Sequence, residues 1–177
     1  MPESKSLLTP AIVQRTVERM AAEIAERNET DQELVIVGIQ RGGIHLACRL
    51  SERVSRIWNK AIPCGVVDVS MHRDDLHKQP AVEVHATSIP ADITDKVVVL
   101  VDDVLFSGRT TRAALDALSD IGRPKKVQLA VLIDRGHREL PIKADFVGKN
   151  VTTSREDQIN VRLKEDGGDD SVVLERA

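Results

Sequence analysis

The chain has 177 residues, of which 41% are hydrophobic and 30% are charged, and its formal net charge is -3 at pH 7. This length suits one domain with a sizeable core, and the composition excludes a disordered chain as the default. The slightly negative charge excludes a globally basic nucleic-acid binder, so any nucleic-acid surface must be a local patch.

Signal and membrane segments are also missing from the sequence pattern. The N-terminus lacks the basic and apolar regions of a signal peptide, and no apolar run is long enough for a membrane span. We therefore expect a cytoplasmic protein without a membrane partner. The two cysteines, Cys48 and Cys64, lie in an apolar helix and a strand-like run. We expect small core residues there rather than a disulfide.

The first predicted helix runs from Pro10 to about Arg27, because apolar residues recur there at helical spacing and Thr9 suits the N-cap position. Its outer face carries Arg15 and Arg19 together with several glutamates. This pattern fits either an ordinary solvated face or part of a charged binding surface.

A glycine corner follows the first predicted strand. The apolar run Leu34–Ile39 indicates a buried strand, and Arg41, Gly42 and Gly43 separate it from a helix that spans Ile44 to about Ile57. Strand, glycine turn and helix N-terminus together are typical of anion sites, because the first N–H groups of the helix have no partner within the helix. A glycine corner alone is weak evidence for such a site.

The next predicted strand spans Ile62 to Ser70, and a long polar stretch follows it over residues 71–89. The histidines of this stretch, His72 and His77, lack the companion ligands and spacing of a zinc site. Long polar loops in compact domains are usually functional or disordered. We interpret residues 71–89 as a flexible lid that excludes water, in which Arg73 adds charge to an anionic leaving group.

The most informative stretch is Val98 to Thr110. Its apolar start predicts a buried parallel strand, Asp102 and Asp103 mark the carboxyl end of that strand, and a turn with Ser107 and Gly108 opens a helix. The turn suits a phosphate, and the two acids, as hydrogen-bond acceptors, suit a polyol beside it. Together they predict a ribose 5-phosphate site. The alternative is an ordinary β–α corner in which the acids only cap the strand end.

The rest of the chain continues the alternation. A helix from about Arg109 to Ile121 precedes a buried strand over Val127–Ile133, and six basic residues stand against two acids between Gly122 and Lys143. This is the one basic patch, with a net charge of +4. The pattern predicts an α/β fold with a parallel sheet, helices on both faces and ligands at the carboxyl ends of the strands. We expect one domain over 1–177, with a small hood from about 134–177 and N-terminal contributions.

The segment from Val98 to Thr110 resembles the signature of the type I phosphoribosyltransferases, which bind phosphoribosyl pyrophosphate (PRPP). By this resemblance Asp102 and Asp103 hold the ribose hydroxyls, and the turn wraps the 5-phosphate. The early glycine corner, with Arg41, Gly42 and Gly43, would face the pyrophosphate. The resemblance assigns PRPP binding to Val98, Val99, Leu100, Val101, Asp102, Asp103, Val104, Leu105, Phe106, Ser107, Gly108, Arg109 and Thr110.

From about Ile12 to Val173 the chain is similar to the PyrR family of pyrimidine operon regulators, which are also uracil phosphoribosyltransferases. The most specific matches are Val101–Thr110, Gly122–Pro124, Gln128–Leu132 with Asp134–Pro141, and Val147–Asn150. The resemblance implies the reaction of uracil with PRPP to UMP and pyrophosphate. It also implies Mg²⁺ held mainly by PRPP oxygens and water. The catalytic candidates are Asp103 for acid/base assistance, Asp102 for positioning, and Arg73.

The same resemblance assigns the base and RNA contacts. Purine enzymes of this fold place a lysine where Asp134 stands, and an ionised aspartate cannot donate to a purine oxo group. Phe146 would stack on uracil or, alternatively, be a core residue. The full base set is Asp134, Arg135, Phe146 and Val147. The set expected to contact a structured leader RNA is Arg15, Arg19, Arg138, Lys143 and Lys149. The resemblance also implies a homodimer or homotetramer.

Several positions depart from the family pattern. Arg41 and Gly42 stand where threonine and arginine are usual, and His72 replaces the usual tyrosine of the lid. Glu18 and Ala22 replace a threonine and a histidine of the RNA face, and an added carboxylate opposes phosphate. Three functions stay open. They are a bifunctional regulator whose RNA binding uridine nucleotides promote, a nucleobase phosphoribosyltransferase without RNA binding, and a nucleotide-sensing regulator without turnover.

Overall fold

The computed structural model describes residues 3–73 and 86–177, which form one five-stranded and one three-stranded sheet with helices packed around them. In chain order the elements are β1 (Ser4–Leu8), α1 (Pro10–Arg27), β2 (Leu34–Ile39), α2 (Ile44–Trp58), β3 (Cys64–Val67), β4 (Val97–Leu105), α3 (Arg109–Ile121), β5 (Lys126–Asp134), β6 (Phe146–Asn150), β7 (Gln158–Arg162) and β8 (Ser171–Glu175), with a 3₁₀ turn at Lys164–Asp166.

The larger sheet is parallel throughout, in the order β3-β2-β4-β5-β6. Alternate residues of its central strand β4 face opposite layers. Val99 packs in the core beneath α1 and α2, and Val98 and Leu100 pack in the core beneath α3. Because both faces are covered, β4 is apolar at every position up to its acidic end. The predicted parallel sheet with helices on both faces is confirmed.

The helix boundaries follow local capping signals. The Thr9 hydroxyl accepts a hydrogen bond from the Ile12 N–H at 3.4 Å, so α1 begins where the sequence predicts. The third helix ends before Gly122, also as predicted. Only β3 is shorter than expected, because it is an edge strand that follows Pro63 and because the Asp68 N–H, just beyond its end, donates to the Thr87 hydroxyl.

The smaller sheet is antiparallel, in the order β1-β8-β7, and forms the hood. Leu8, Leu163 and Val172 join it to the core beneath α1 and α2. Its loop is also fixed to α2, since the Arg49 guanidinium lies 2.6 Å from a Glu165 oxygen and 2.8 Å from an Asp170 oxygen. The hood was expected to begin near residue 134. Instead β6 belongs to the main sheet, where it pairs with β5.

Most of the expected lid, together with His77, lies outside the described residues. Its first residues are described, and there His72 Nε2 lies 2.6 Å from the Asp120 carboxylate near the end of α3. Among the helices within residues 3–73 and 86–177, none has the length and apolar character needed to cross a bilayer.

Candidate active site

Two glycine corners lie side by side at the carboxyl edge of the main sheet. One follows β2 and the other follows β4, and these two strands are hydrogen-bonded neighbours. The parallel arrangement brings their ends to the same edge, where open α/β sheets bind ligands. The end of β5, at Asp134, is the next along this edge. Three of the predicted ligand segments therefore converge on one region.

The early corner rests directly against the acidic end of β4. A Cβ atom added to Gly42 would lie 2.5 and 2.6 Å from the two carboxylate oxygens of Asp103, and one added to Gly43 would overlap the Val101 carbonyl. A side chain at either position would displace β4 or the acid. The two glycines thus allow the backbone that follows the exposed Arg41 to contact Asp103.

The two acids have different environments. Asp102 is 8% exposed, and its Oδ1 accepts a hydrogen bond from the Asp103 N–H at 2.9 Å. Asp103 is half-buried, and its Oδ1 accepts from the Val104 N–H at 2.7 Å. Burial and the neighbouring Asp103 charge raise the pKa of Asp102, and the positive charge of Arg73 opposes that shift. The predicted catalytic group Arg73 is therefore within electrostatic reach of the acids.

The turn after β4 has the geometry of an anion loop. Gly108 adopts φ +91°, in the left-handed region, and α3 begins at the next residue. The Ser107 hydroxyl accepts from the Arg109 N–H at 3.3 Å, and the Ser107 carbonyl accepts from the Glu139 N–H at 2.9 Å. The loop is thereby held by its neighbours, and it leads directly into the N-terminus of α3, where helices favour anions.

Arg138 braces this loop. Its guanidinium donates to the Phe106 carbonyl at 2.8 Å and to the Ile142 carbonyl at 2.9 Å, and it forms an ion pair with Asp134 at 2.6 Å. The side chain is only 23% exposed. These contacts direct the hydrogen-bonding groups of Arg138 into the site, and its contact with RNA stays a prediction.

Arg135 has a similar internal role. Its guanidinium lies 4.3 Å from the centre of the Phe106 ring and donates to the Thr153 hydroxyl and the Ser154 carbonyl. The Phe106 and His137 rings form a T-shaped pair, with their centres 5.9 Å apart. Burial lowers the pKa of Arg135, although the nearby Asp157 charge works in the opposite direction. Arg135 therefore holds the Phe106 ring in place.

A cleft of about 450 Å³ opens where β5 and β6 end. Asp134 lies at its wall, with its two oxygens accepting from the Gly136 N–H at 3.0 Å and from Arg138 at 2.6 Å. Sequence reasoning included Asp134 and Arg135 but missed the side chains that follow β6. The signal that could have identified them is their position at and just after the carboxyl end of a strand, β6. The cleft is lined by Asp134, Arg135, Gly136, His137, Arg138, Asn150, Val151, Thr152 and Thr153.

Phe146 does not offer a face for stacking. Its side chain is 1% exposed and packs in the core beneath α1, where the Arg27 guanidinium lies 5.5 Å from the ring centre. The expectation that Phe146 stacks on a base is wrong, and its alternative, a core residue, is observed. Val147 is half-buried and packs against the opposite core, while its carbonyl accepts from Arg19.

Three of the remaining basic candidates share one exposed surface. Arg15 and Arg19 lie one turn apart on α1, and Arg19 donates to the Gly148 carbonyl of the edge strand β6. Lys149 projects from the same strand, and its Nζ lies 3.3 Å from the Leu7 carbonyl. Lys143 is exposed in the loop before β6. We refer to Arg15, Arg19 and Lys149 as the α1–β6 face.

Comparison with known families gives a consistent assignment. The family described as Phosphoribosyl transferase domain matches residues 4–166. The bifunctional protein PyrR of Roseiflexus sp. (strain RS-1) is 55% identical over 174 residues, which cover 97% of this chain and 95% of the relative. The bifunctional protein PyrR of Bacillus mycoides (strain KBAB4) is 50% identical over 179 residues, with 98% of both chains covered.

Solved structures agree in fold. The hypoxanthine phosphoribosyltransferase of Trypanosoma cruzi superimposes with a TM-score of 0.72 over 97% of this chain and 96% of its own, at 17% identity. A hypoxanthine-guanine phosphoribosyltransferase of Bacillus anthracis has a TM-score of 0.68, with 83% of each chain covered and 22% identity. At such low identity these structures establish the fold and carry no information about the base.

Proposed function

This chain belongs to the phosphoribosyltransferase family and, within it, to the bifunctional PyrR proteins, and on that premise we propose that it has two linked activities. It converts uracil and PRPP to UMP and pyrophosphate, and it binds a structured leader RNA to control pyrimidine biosynthetic genes in response to uridine nucleotides. The observation that carries the enzymatic half is the contact between Gly42 and Asp103, because it joins two anion corners across one carboxylate.

The two corners fit the two ends of PRPP. The turn from Phe106 to Thr110 binds the 5-phosphate through N–H groups and hydroxyls, and the corner at Arg41 to Gly43 binds the pyrophosphate. Between them, Asp102 and Asp103 accept hydrogen bonds from the ribose hydroxyls. This places the anomeric carbon between an acidic group and the leaving pyrophosphate, which is the arrangement that pentosyl transfer requires.

The chain's own residues then supply electrostatic stabilisation. Positive charge develops on the ribose as the bond to pyrophosphate breaks, and the Asp103 carboxylate stabilises it. Arg73 adds positive charge on the side of the leaving group. The carboxylate oxygens of Asp102 and Asp103 also match the oxygen ligands that Mg²⁺ prefers. When bound with PRPP, Mg²⁺ neutralises charge on the pyrophosphate oxygens.

The cleft at the ends of β5 and β6 is our proposed base site. Uracil offers one N–H donor between two carbonyl acceptors. The Asn150 amide and the backbone beyond it can match both kinds of group, and Asp134 supplies acceptors where a purine enzyme would need a donor. Arg135 lines this cleft, whereas Val147 packs against the core beneath α3 and is not part of the lining.

Turnover by an Asp103→Asn variant tests the enzymatic half. We expect UMP formation from uracil and PRPP with Mg²⁺ to fall by roughly 100-fold or more, as for loss of a group that stabilises charge in the transition state. Arg112→Gln, an exposed change on α3, is the control and should retain activity. Equal rates for Asp103→Asn and the wild type would refute the assignment.

The regulatory half rests on the α1–β6 face. Two arginines from α1 and a lysine from β6 form an exposed basic surface at the edge of the sheet, where phosphates can approach. Lys143 extends it toward the loop before β6. Because the chain has only two phenylalanines and no tyrosine, recognition relies on backbone charge and RNA shape more than on base stacking.

Salt-dependent binding to the leader RNA of the pyrimidine genes tests this half. With UMP present, Arg19→Gln should weaken binding and reduce the slope of log Kd against log salt by about 1. Arg56→Gln, on α2, is the matched control and should leave both unchanged. A wild-type protein that shows no preference for the leader over an unrelated hairpin would contradict the regulatory half.

A second candidate is a uracil phosphoribosyltransferase without RNA binding. It is favoured by Glu18, which adds an exposed carboxylate beside Arg15 and Arg19, and by the internal role of Arg138. The third possibility from the sequence, a nucleotide sensor without turnover, depends on the unusual Arg41–Gly42 corner. UMP binding without turnover in the wild type would select it.

A further inference from the structure

The two cysteines lie against each other at the surface beside α2. Cys48, in the second turn of α2, is exposed, and Cys64, the first residue of β3, is half-buried. Their sulfur atoms are 3.3 Å apart. This corrects the sequence-based expectation of two separate core residues, because the parallel pairing of β2 and β3 brings Cys64 under α2.

Cys48 also opens onto a cleft. The cleft has a volume of about 460 Å³ and lies between α2 and the hood loop, with Gln14 of α1 at its border. Small solutes can therefore reach the Cys48 sulfur from solvent, whereas Cys64 is shielded behind it. The side chains that line the cleft are Gln14, Cys48, Arg49, Glu52, Arg53, Arg56, Lys164, Glu165 and Asp170.

We propose that Cys48 and Cys64 are an oxidative modification site, in which a peroxide oxidises Cys48 and Cys64 then closes an intramolecular disulfide. In the first step the Cys48 sulfur attacks the peroxide, the O–O bond breaks, and Cys48 sulfenic acid and an alcohol or water form. In the second step the Cys64 thiol attacks the Cys48 sulfenic sulfur, the S–O bond breaks, the S–S bond forms, and the hydroxyl leaves as water with the Cys64 proton. Two electrons pass from the two thiols to the peroxide.

The order of the two steps follows from the surroundings of each sulfur. Burial and the hydrogen bond with Cys48 raise the pKa of Cys64 to about 12, so Cys64 remains protonated at neutral pH. The exposed Cys48 is therefore the sulfur that meets the oxidant. The separation must shorten from 3.3 Å to about 2.05 Å, which side-chain rotation and a small shift of α2 can provide.

The disulfide would fix the edge strand β3 to α2. Cys64 begins β3, which pairs with β2 on one side and has a single bridge, from Val66 to Ser88, on the other, and β3 leads through Asp68 to Arg73. A bond to α2 closes a loop between residues 16 apart and restrains the unfolded chain. We expect Tm to rise by about 5–10 °C on oxidation. Because neither cysteine contacts the acids or the glycine corners, transferase activity should persist in both redox states.

Peroxide titration of the whole protein tests the proposal. After hydrogen peroxide treatment and alkylation, the wild type should lose two hydrogen atoms in intact mass, lose both alkylatable thiols, and run as a monomer on a non-reducing denaturing gel. The Cys64→Ser variant should instead accumulate sulfenic acid at Cys48, which dimedone traps. The Cys48→Ser variant should be oxidised far more slowly, because Cys64 is shielded.

Three results would overturn the proposal. The first is that sulfinic acid forms at Cys48 as readily in the wild type as in Cys64→Ser. The second is a disulfide between two chains. The third is a wild-type Tm that is the same with and without reductant after peroxide treatment. The intact mass and the Tm of the wild type still test the proposal even if a variant fails to fold. They are also independent of turnover and RNA binding, so failure here leaves the proposed function untouched.

Discussion

Asp102 and Asp103 are adjacent in sequence, yet the strand directs their side chains into different surroundings. Asp103 faces Gly42 at the site, whereas Asp102 is almost fully buried and has a raised pKa because of burial and the neighbouring Asp103 charge. Holding Asp102 ionised at neutral pH therefore lowers the stability of the fold. We infer that this position is kept for its role toward the ribose, at the expense of stability.

Asp102→Asn should consequently stabilise the protein while reducing its activity. The amide can still accept from the Asp103 N–H and carries no charge, so the free energy of unfolding should rise by about 1–3 kcal/mol at pH 7.5. Since a raised pKa in the folded state contributes stability below the unfolded pKa and loses it as pH rises, the gain should vanish near pH 4. Urea unfolding at both pH values measures this. A variant less stable than wild type at pH 7.5 would contradict the account.

At the scale of elements, the segment that follows β5 acts as a brace for the phosphate loop. Arg138 joins Asp134, the Phe106 carbonyl and the Ile142 carbonyl, and so connects the end of one strand to the turn after its neighbour. Sequence reasoning assigned Arg138 to RNA because a basic patch is visible in composition. Its three partners lie 4 to 32 residues away, and composition does not encode such contacts.

Arg138→Gln should therefore weaken the binding of PRPP. With the Phe106 carbonyl and Asp134 left without their partner, the loop loses its fixed geometry, and we expect KM for PRPP to rise by roughly 10-fold or more. Lys143→Gln, five residues on and exposed, is the matched control and should leave KM unchanged. Steady-state kinetics with varied PRPP measures both. An unchanged KM with weakened RNA binding would restore the original assignment.

The hood contacts α2 through Arg49 and two acids, beside a contact of His45 with Asp166 at 3.2 Å. Hydrogen bonds from Arg49 lower the pKa values of Glu165 and Asp170. A lowered pKa in the folded state contributes stability above the unfolded pKa, and this contribution is lost as pH falls through the folded value. The clamp should therefore hold at neutral pH and release in acid.

Arg49→Gln should destabilise the protein by about 3 kcal/mol at pH 7, because two partly buried carboxylates lose their partner. The difference from wild type should shrink as pH falls below about 4, because the acids protonate first in the unfolded state and, at lower pH, in the folded state. Arg53→Gln, one turn further along α2, controls for the loss of a helical arginine. Thermal unfolding from pH 7 to pH 3 measures the effect. A difference that stays constant across this range would exclude the clamp.

For the whole molecule, the order of strands, corners and helices from α1 to β5 could be predicted from the sequence, whereas β1, β6, β7 and β8 were not predicted. Strands that are buried on both faces appear in the sequence as continuous apolar runs. Local capping residues mark the helix ends at Thr9, Gly108 and Gly122. What could not be predicted depends on tertiary pairing. The register of β6 beside β5 turns Phe146 into the core, opposite Ala130, and the position of α2 over β3 joins two cysteines.

The substrate is the point at which fold and family give different information. Solved structures of similar fold are hypoxanthine phosphoribosyltransferases at about one-fifth identity, whereas relatives of about half identity are PyrR proteins. The fold alone therefore leaves the base open, and the proposed function depends most on which base the chain takes.

A competition assay tests this claim most directly. The protein would receive PRPP, Mg²⁺ and equal concentrations of uracil and hypoxanthine, and the nucleotide products would be resolved by chromatography. We expect UMP as the product, since Asp134 offers acceptors where a purine oxo group needs a donor. Formation of the hypoxanthine nucleotide in place of UMP would contradict it.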